Sequence, residues 1–473
     1  MKILLINPPN TNMILTHLPS YIDEESGIFP PLGLMYLASS LSNKTGINVE
    51  ILDALLNKIS LNNIANKITN YLPDLVGITA TSFTLIDALL IAKTVKEVNQ
   101  NIHVTMGGPH VSIYPNETLL QKDVDSVVIG EGEKTFSDLV NNLNEGKNLE
   151  GIPGLAFKNK QGQIINNGYR DFIENLDEIP LPDRNLTPYK EYYSILGEKH
   201  PITTIITSRG CPFRCSFCYH FLGKKWRTRS AKNVIEELES CVNIGIREFW
   251  FFDETFTIDK KRVLDICDGI ISKKLNIKWN IRSRVDTIDK NMMERLKLAG
   301  CEKISFGIES ALSKTLKVLQ KEINPDKSKE IVLLAKSLGF ETSTDFMIGS
   351  PGETREDILE TISFSLKLDP DYATFSITTP FPCTQLYNSL LENKFFDRDY
   401  WKDFSISPSK DFIPNLCNEY LSREELAHLQ NYAYKKFYLR PKYILKKMLK
   451  LKSPIDFLRK AKVSLRMLAS REK

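Results

Sequence analysis

The sequence predicts an α/β protein with a doubly wound, Rossmann-like N-terminal domain, a partial (β/α)6 barrel, and a helical, basic C-terminal region. Apolar runs alternate with helix-like stretches in residues 1–147, and the alternation lapses in residues 148–200. Six further strand–helix units follow in residues 201–387, and residues 388–473 read as helical and irregular. Continuous apolar strands separated by helices are typical of parallel sheets that are covered on both faces.

The first series has five predicted strands and four predicted helices. The strands lie at residues 3–6, 49–52, 75–79, 103–106 and 126–129, and the helices at 32–41, 61–71, 84–98 and 134–143. A ligand of such a domain is expected beyond the carboxyl ends of the strands. In residues 148–200, Pro, Gly, Asn and charged residues predict a linker with one hairpin around residues 160–162.

The second series has six predicted strands, which suit an open barrel better than a full eight-fold one. They lie at residues 203–207, 247–252, 277–282, 303–306, 341–348 and 373–378. Helices are predicted at 231–243, 260–272, 290–299, 327–338 and 355–368. Chemistry is expected on the loops that follow these strands.

The composition is that of an ordinary globular protein. With 42% hydrophobic and 25% charged residues, the chain is neither disordered nor a disulfide-stapled miniprotein. No apolar run approaches the roughly 20 residues that span a bilayer, and the apolar start is too short for a signal peptide. We therefore expect a cytoplasmic protein in a reducing compartment.

Three of the eight cysteines, Cys211, Cys215 and Cys218, follow the first strand of the second series within eight residues. A short loop lets three sulfurs converge on an iron–sulfur cluster and leaves one iron open for a ligand from outside the protein. Two other interpretations are a zinc site with His220 as a fourth ligand, and three unrelated buried cysteines. The spacing favours the cluster over zinc.

The CxxxCxxC spacing, with the aromatic Phe217 before Cys218, resembles that of the radical S-adenosylmethionine (SAM) superfamily. The resemblance implies that Cys211, Cys215 and Cys218 hold a [4Fe–4S] cluster whose open iron is chelated by the amino and carboxylate groups of SAM. Electron transfer from the cluster would cleave SAM to methionine and a 5′-deoxyadenosyl radical that abstracts hydrogen from a substrate.

Polar residues after later strands are candidates for binding SAM. The resemblance places Glu254 or Asp253 near the methionine amine, and Glu309 and Ser310 in a loop similar to the GxES segment of the family. Either Arg282 or Arg284 could hold a carboxylate through two hydrogen bonds, and an ion pair with Asp286 within the domain is an equal alternative.

Two further loops resemble segments of the same family. Residues 349–354 resemble GxPGET, in which Thr354 and Asp357 are predicted to cap a helix. Residues 379–384 resemble TPxPGT, with Cys383 in place of the glycine. If that glycine needs a positive φ, Cys383 is expected to strain the turn.

The N-terminal domain lacks a G-x-G-x-x-G fingerprint and instead resembles the cobalamin-binding domain that precedes many radical SAM domains. The matching segments are 30–38, 74–79, 107–110 and 130–133. The resemblance implies cobalamin contacts at Thr79, Ser82, Gly107, Gly108 and Gly130. No DxHxxG motif is present, so a lower axial histidine of that type is not expected. A structural role is favoured for His110, and a scaffold that has lost its cofactor remains the alternative.

The C-terminal tail is strongly basic, with 14 basic and 2 acidic residues in 433–473 against a net charge of +4 for the whole chain. Its residues Ile444, Leu445, Met448 and Leu449 are spaced as one apolar helical stripe between lysines. A helix that packs on the barrel with a solvated basic face is slightly favoured over peripheral membrane contact, and nucleic-acid binding is not favoured.

The leading hypothesis is a cobalamin-dependent radical SAM methyltransferase that acts on an unactivated carbon of a small-molecule or lipid-like substrate. It would take electrons from a flavodoxin- or ferredoxin-type donor. An alternative is oxidative cyclisation or rearrangement without methyl transfer. An alternative from another class is a non-catalytic metal- or corrinoid-binding protein.

Overall fold

A computed structural model describes residues 1–14, 27–42, 45–194 and 201–449. The first sheet has the strand order β2-β1-β3-β4-β5-β6-β7. Its five parallel strands are β1 Lys2–Asn7, β2 Asn48–Asp53, β3 Leu75–Thr79, β4 His103–Gly107 and β5 Ser126–Val128. Its helices are α1 Leu32–Leu41, α2 Leu61–Tyr71, α3 Leu85–Val98, α4 Pro109–Ile113, α5 Pro115–Leu119 and α6 Gly132–Asn144.

Alternate residues of β1 pack on opposite faces of this sheet. Leu4 and Ile6 share an apolar cluster with α2 and α3, whereas Ile3 and Leu5 share another with α1 and α6. The predicted doubly wound domain is therefore confirmed. Its strand order reverses at β1 and β3, which places a ligand crevice at the carboxyl ends of these strands.

The predicted hairpin is also present, and it belongs to the first sheet. β6 (Leu155–Lys158) pairs antiparallel with β5, and β7 (Ile164–Asn166) pairs antiparallel with β6. The Asn159 N–H donates to the Gln163 carbonyl, and Gly162 closes the turn with a φ of 77°. The segment that the sequence predicts as a linker thus adds two strands to the first domain.

The second sheet contains six parallel strands in the order β15-β14-β13-β12-β11-β8. They are β8 Ile202–Ile205, β11 Glu248–Phe251, β12 Lys278–Ser283, β13 Cys301–Glu309, β14 Glu341–Ile348 and β15 Tyr372–Ile377. The short strands β9 (Ser208–Arg209) and β10 (Arg227–Thr228) form a separate antiparallel pair. Among the described residues β8 and β15 do not pair, so the predicted partial barrel is confirmed.

Helices cover one face of the second sheet. They are α7 Ala231–Asn243, α8 Lys260–Ser272, α9 Lys290–Leu298, α10 Ser313–Val318, α11 Pro325–Ser337 and α12 Arg355–Leu368. Residues such as Trp279 and Ile281 of β12 lie in the apolar core on this side. The alternate residues, such as Asn280 and Arg282, therefore lie on the opposite face, which we call the inner face of the barrel.

The C-terminal region packs against both units. Helices α13 (Gln385–Glu392) and α14 (Tyr400–Ile406) contribute to the core on the α2–α3 side of the first domain. Helix α15 (Arg423–Tyr438) contributes Leu426, Leu429 and Phe437 to the barrel core, and α16 (Pro441–Leu449) follows it. None of the described helices has the length and apolar character needed to cross a membrane. Residues 450–473 of the basic tail lie outside the described residues.

Candidate functional site

The predicted cluster ligands lie in a loop of residues 210–226, which we call the cysteine loop, between β9 and β10. Gly210 starts it with a φ of 82°, and a Cβ there would lie 2.3 Å from the Lys225 carbonyl oxygen. Ser216 anchors the loop to the end of α10, because its N–H donates to the Leu319 carbonyl at 2.9 Å. The loop is therefore held at the carboxyl-end edge of the barrel.

The three thiols differ in their surroundings. Cys215 is buried, Cys211 is partly exposed and Cys218 is exposed. A hydrogen bond with Cys218, together with the nearby charges of Lys321 and Arg284, lowers the pKa of Cys215 to about 6. Arg284 Nη1 lies 3.6 Å from Cys215 Sγ. Positive charge at this place favours thiolates, which are the form that binds metal.

The donor set fits an iron–sulfur cluster better than zinc. All eight cysteines are free, and the exposure of Cys211 and Cys218 argues against three unrelated buried thiols. A structural zinc site takes four protein ligands around one ion, whereas the cysteine loop supplies three thiols that differ in exposure. A [4Fe–4S] cluster binds one thiolate on each iron, so it does not need sulfurs gathered around one ion.

The adjacent carboxylates Asp253 and Glu254 have different roles. Asp253 is fully buried and accepts hydrogen bonds from the Thr207 N–H and hydroxyl and from the Ser208 hydroxyl, at 2.5–2.6 Å. Glu254 is exposed to the cleft and interacts electrostatically with Cys211. Protein packed around it, together with Asp253, raises the pKa of Glu254 to about 7. Glu254 is therefore the carboxylate that a ligand can reach.

Arg284 forms the ion pair that the sequence analysis left open. Its Nε and Nη2 donate to the two carboxylate oxygens of Asp286 at 2.9 and 2.8 Å. Its guanidinium lies 3.8 Å from the centre of the Phe213 ring in the cysteine loop. Asp286 and Phe213 thus orient the remaining nitrogen, Nη1, toward Cys215.

Glu309 ends β13 with a φ of 66° and is buried beside Lys321, whose Nζ lies 3.1 Å from Glu309 Oε1. A Cβ at Gly307 would lie 2.6 Å from the same oxygen, so the glycine makes room for this carboxylate. A left-handed glutamate at a strand end is a strained conformation of the kind that clusters at functional sites.

Two residues of this region depart from the sequence analysis. Lys321 was missed, and its place in the segment between α10 and α11 gave no signal that it reaches Glu309 and Cys215. Ser310 is fully buried, and its hydroxyl accepts from the Leu312 N–H and bonds Thr361 on α12. Its side chain therefore faces the helices and not the cleft.

The predicted cobalamin contacts converge at the carboxyl-end edge of the first sheet. Thr79 pairs with Gly107 in register, and Gly107 pairs with Val128. Gly108 has a φ of 108°, and a Cβ there would lie 2.7 Å from the Ala80 carbonyl oxygen. Gly130 has a φ of 76° with open space around its Cβ position. This edge offers bare backbone and free volume, which fit the approach of a large flat ligand.

Ser82 and His110 are hydrogen-bonded to each other. His110 is fully buried, its Nδ1 lies 3.0 Å from Ser82 Oγ, and its Nε2 lies 3.1 Å from Ser405 Oγ on α14. Burial lowers the pKa of His110 to about 3, so the ring is neutral. These contacts agree with the structural role that the sequence analysis favoured for His110.

Four buried side chains link the two edges, and we call them the interdomain ion cluster: Glu131, Glu133, Arg209 and Arg227. Arg209 donates to Glu131 at 2.9 Å and to Glu133 at 2.5 Å, and Arg227 donates to Glu131 at 2.9 Å. Glu131 follows Gly130, and Arg209 precedes Gly210 and Cys211. The cluster therefore ties the glycine edge of the first domain to the cysteine loop. Sequence analysis noted both segments but gave no signal of their pairing.

Two predictions about loops hold. Thr354 and Asp357 form a reciprocal capping box at the start of α12. Cys383 has a φ of 58°, so a residue with a side chain does occupy the left-handed position that glycine favours. Its thiol is exposed, and Tyr219 of the cysteine loop is an electrostatic neighbour.

Comparison with known proteins matches both domains. Residues 205–365 match the family model of the radical SAM superfamily, and residues 21–140 match that of the B12 binding domain. An uncharacterized methyltransferase of Pyrococcus horikoshii is 40% identical over 450 residues, which cover 94% of each chain. Anaerobic magnesium-protoporphyrin IX monomethyl ester cyclase of Rubrivivax gelatinosus is 31% identical over 377 residues, covering 78% of this chain and 67% of the cyclase.

A solved structure shares the fold. The radical SAM methyltransferase TsrM of Kitasatospora setae, with tryptophan and a SAM analogue bound, matches with a TM-score of 0.70 and 21% identity. The match covers 83% of this chain and 76% of TsrM. This chain and TsrM therefore share their fold over most of this chain.

Proposed function

This chain belongs to the radical SAM enzymes that carry a cobalamin-binding domain, and we propose that it transfers a methyl group to an unactivated carbon. The substrate is proposed to be a small molecule or lipid-like. The two family matches agree with the predicted cofactors, which are a [4Fe–4S] cluster, SAM and cobalamin. When bound, the cluster supplies the electron that cleaves SAM to a 5′-deoxyadenosyl radical, and cobalamin supplies the methyl group.

One observation carries the proposal. The interdomain ion cluster joins the residue after Gly130 to the strand that leads into Cys211. A reaction in which hydrogen is taken by one cofactor and methyl is given by another requires both to face the same substrate carbon. A buried link between the two proposed cofactor edges supports that arrangement.

The chain's own residues have distinct proposed roles. Cys211, Cys215 and Cys218 hold the cluster, and Arg284 offsets the negative charge of Cys215 and of the SAM carboxylate beside it. Glu254, the solvent-accessible carboxylate beside Cys211, accepts from the amine of SAM.

The remaining proposed contacts lie on either side of the cleft. Glu309, held by Lys321, accepts from the ribose hydroxyls of SAM. The bare backbone of Gly107, Gly108 and Gly130, with the hydroxyl of Thr79, receives cobalamin. With His110 enclosed between Ser82 and Ser405, no histidine of this edge is proposed as an axial ligand.

The test uses the full chain, purified without oxygen and reconstituted with iron, sulfide and cobalamin. We expect about four irons per chain, no stoichiometric zinc, and 5′-deoxyadenosine when SAM and a reductant are added. S-adenosylhomocysteine in the same mixture reports methyl donation by SAM. Zinc in place of iron, or the absence of 5′-deoxyadenosine, would contradict the proposal.

Oxidative cyclisation or rearrangement is a second candidate, because the relative that is 31% identical is a cyclase. It uses the same cysteines and SAM contacts but no methyl donation. Formation of 5′-deoxyadenosine without S-adenosylhomocysteine supports cyclisation over methyl transfer.

We propose a flavodoxin- or ferredoxin-type protein as the electron donor, since Cys218 lies at the exposed side of the cysteine loop. Reduced flavodoxin should then support SAM cleavage in place of a chemical reductant. Cleavage with the chemical reductant but not with reduced flavodoxin or ferredoxin would contradict this part of the proposal.

We also propose peripheral membrane contact through α16. This helix packs on the barrel, with Tyr443 donating to the Asp371 carbonyl at 2.9 Å and Lys446 lying 3.2 Å from the Asp371 carboxylate. Two apolar residues of this helix do not face the barrel, since Leu445 is 60% and Leu449 80% exposed. Exposed leucines between lysines suit an anionic bilayer surface.

Co-sedimentation with vesicles of phosphatidylglycerol and phosphatidylcholine tests this contact. We expect the full chain to pellet with the vesicles and the double variant Leu445→Glu, Leu449→Glu to stay in solution. These side chains are exposed, so the variant should leave the barrel intact, whereas truncation within α15 would remove core residues such as Phe437. Equal pelleting of both proteins would contradict membrane contact.

A further inference from the structure

Arg282 is an arginine on the inner face of the barrel whose donors are not used in a hydrogen bond among the described residues. Its flanking residues Ile281 and Ser283 are buried toward the helices, whereas Arg282 itself is exposed. Within the described ranges, its guanidinium makes no hydrogen bond or ion pair. It lies 5.1 Å from the centre of the Phe252 ring. An arginine held over an aromatic ring keeps its five donors oriented and available.

Arg282 lies one layer of side chains below the cysteine loop. Arg284, two residues along, places its Nη1 3.6 Å from Cys215 Sγ. Two residues of a parallel strand span about 6.6 Å, and side chains at this spacing share a face. The guanidinium of Arg282 therefore lies inside the cleft, deeper than the groups proposed to hold SAM.

The described surroundings of Arg282 do not give its positive charge a direct ion-pair partner. In register, Arg282 is beside Ser305, and Ser305 is beside Ser343, so its cross-strand neighbours on this face are neutral hydroxyls. Asp345 lies on the same face, where burial raises its pKa and Arg282 lowers it, but the two side chains do not form an ion pair. An internal salt bridge thus does not account for Arg282.

One wall beside Arg282 is aromatic. Phe29, from the segment between the first two strands, contacts the rings of Trp250 and Phe252 edge-to-face, each at 5.2 Å between centroids. Trp250 is the inner-face residue of β11 that pairs in register with Asn280, two residues before Arg282. A free cation next to an aromatic wall fits a molecule with an anionic end and an apolar or ring-shaped body.

We propose that Arg282 binds a carboxylate or phosphate group of the substrate, while Phe252 and Trp250 pack against the apolar part beside it. This inference rests on the proposed function in one respect, which is that the substrate lies on the inner face of the barrel. It adds that the substrate is anionic. Arg282 acts as a specificity-determining residue, because an uncharged analogue would leave its guanidinium without a partner.

The test measures direct binding to the holoenzyme, with cluster and saturating SAM present and no reductant. Calorimetric titrations use phenyl phosphate, benzoate and the uncharged benzyl alcohol as probes. We expect one of the anions to bind at least about tenfold more tightly than benzyl alcohol. Which anion binds better distinguishes a phosphate-bearing from a carboxylate-bearing substrate.

Arg282→Gln should then weaken the preferred anion about tenfold and leave benzyl alcohol unchanged, and Arg282→Lys should keep part of the preference. Arg295→Gln is the matched control, because it removes one arginine from an exposed ion pair with Asp268 on the outer helices. Unchanged anion binding in Arg282→Gln would overturn the proposal, as would a loss of SAM affinity in place of anion affinity. Neither outcome depends on whether methyl transfer occurs. The titrations can therefore contradict the role of Arg282 without contradicting the proposed function.

Discussion

The carboxyl-end edges of the two sheets lie on either side of the interdomain ion cluster. They differ in the chemical groups that they expose to a ligand. The edge of the first domain presents backbone at Gly107, Gly108 and Gly130. Its polar side chains bond one another, as Ser82 does with His110. The barrel edge presents thiols and charged side chains whose pKa values are shifted, such as Cys215 and Glu254.

This difference follows from the size and charge of what each edge is proposed to hold. A corrin macrocycle offers a wide, mostly apolar surface, so free volume and close backbone approach matter more than charge. A SAM molecule on a cluster offers an amine, a carboxylate and thiolate-bound iron, so matched charges matter more. Changes of charge should therefore act mainly on the barrel edge, and changes of volume mainly on the glycine edge.

The largest expected effect comes from the barrel edge. Cys215→Ala should abolish iron binding and reduce 5′-deoxyadenosine formation by more than about a thousandfold, because the cluster loses one thiolate ligand. Cys301→Ala is the matched control, since Cys301 is fully buried in the barrel core. Iron content and product formation are measured together. Equal iron content in both variants would show that the cysteine loop is not the cluster site.

The link between the edges is the next test. Glu131→Gln should lower the free energy of unfolding by about 3 kcal/mol or more, because it leaves the buried Arg209 and Arg227 without their shared carboxylate. If the link aligns the cofactors, the ratio of 5′-deoxyadenosine to methylated product should also rise. Calorimetry and product analysis measure the two effects.

Glu174→Gln is the control for Glu131→Gln, because Glu174 forms an exposed pair with Lys225 in the same part of the chain. It should change neither stability nor the product ratio appreciably. A Glu131→Gln protein that is destabilised but has a normal product ratio would limit the ion cluster to a role in folding.

Sequence patterns predicted most of the fold and the position of the cysteine loop. All eleven parallel strands of the two sheets were located, because buried parallel strands are continuous apolar runs with helices between them. The cysteine loop was located because three thiols lie within eight residues of sequence. Metal-ligating residues that lie this close in sequence can be recognised without knowledge of the fold.

The residues that were missed depend on contacts between distant segments. Lys321 meets Glu309 only after α10 turns back toward the strand ends, and Arg209 meets Glu131 across 78 residues of sequence. The hydrogen bonds of Ser82 to His110 and of Ser310 to Thr361 were missed for the same reason, since these partners come from other elements. Hydrophobic periodicity carries no information about such polar pairings.

A pair of glycine variants tests whether volume governs the edge of the first domain. Gly108→Ala should lower the free energy of unfolding by about 3 kcal/mol, because its Cβ would lie 2.7 Å from the Ala80 carbonyl oxygen at a φ of 108°. Gly130→Ala has a similar φ penalty but open space around the Cβ, so about 1 kcal/mol is expected. Urea unfolding measures both.

The same pair separates folding from cobalamin binding. The Cβ of Gly130→Ala points into the open space of the edge, so cobalamin retention, read from the absorbance of the purified protein, should fall although the fold persists. Full retention in Gly130→Ala would contradict the proposed contact at this glycine.

The smallest expected effect concerns pH and a carboxylate of the loop after β14. Glu353 is buried, its Oε2 accepts from the Ser350 N–H at 2.9 Å, and burial raises its pKa to about 7 from the ordinary 4.5. The folded state therefore favours the protonated form. The stability that this group contributes is fully present below pH 4.5 and is lost as the pH rises through 7.

Glu353→Gln keeps an uncharged side chain of similar shape at every pH. Its free energy of unfolding should match that of the wild type near pH 4.5 and exceed it by about 2 kcal/mol at pH 8. Urea unfolding across this range measures the difference, and Glu356→Gln on the exposed side of α12 is the control. Burial holds the pKa of His110 near 3, so this buried ring contributes stability above pH 6.5 that is lost as the pH falls below that value. Because His110 is present in both proteins, its contribution cancels in the difference between Glu353→Gln and the wild type. A difference between Glu353→Gln and the wild type that does not change with pH would show that Glu353 is ionised in the folded protein. The barrel would then have one fewer carboxyl group with a shifted pKa to set against the backbone groups of the glycine edge.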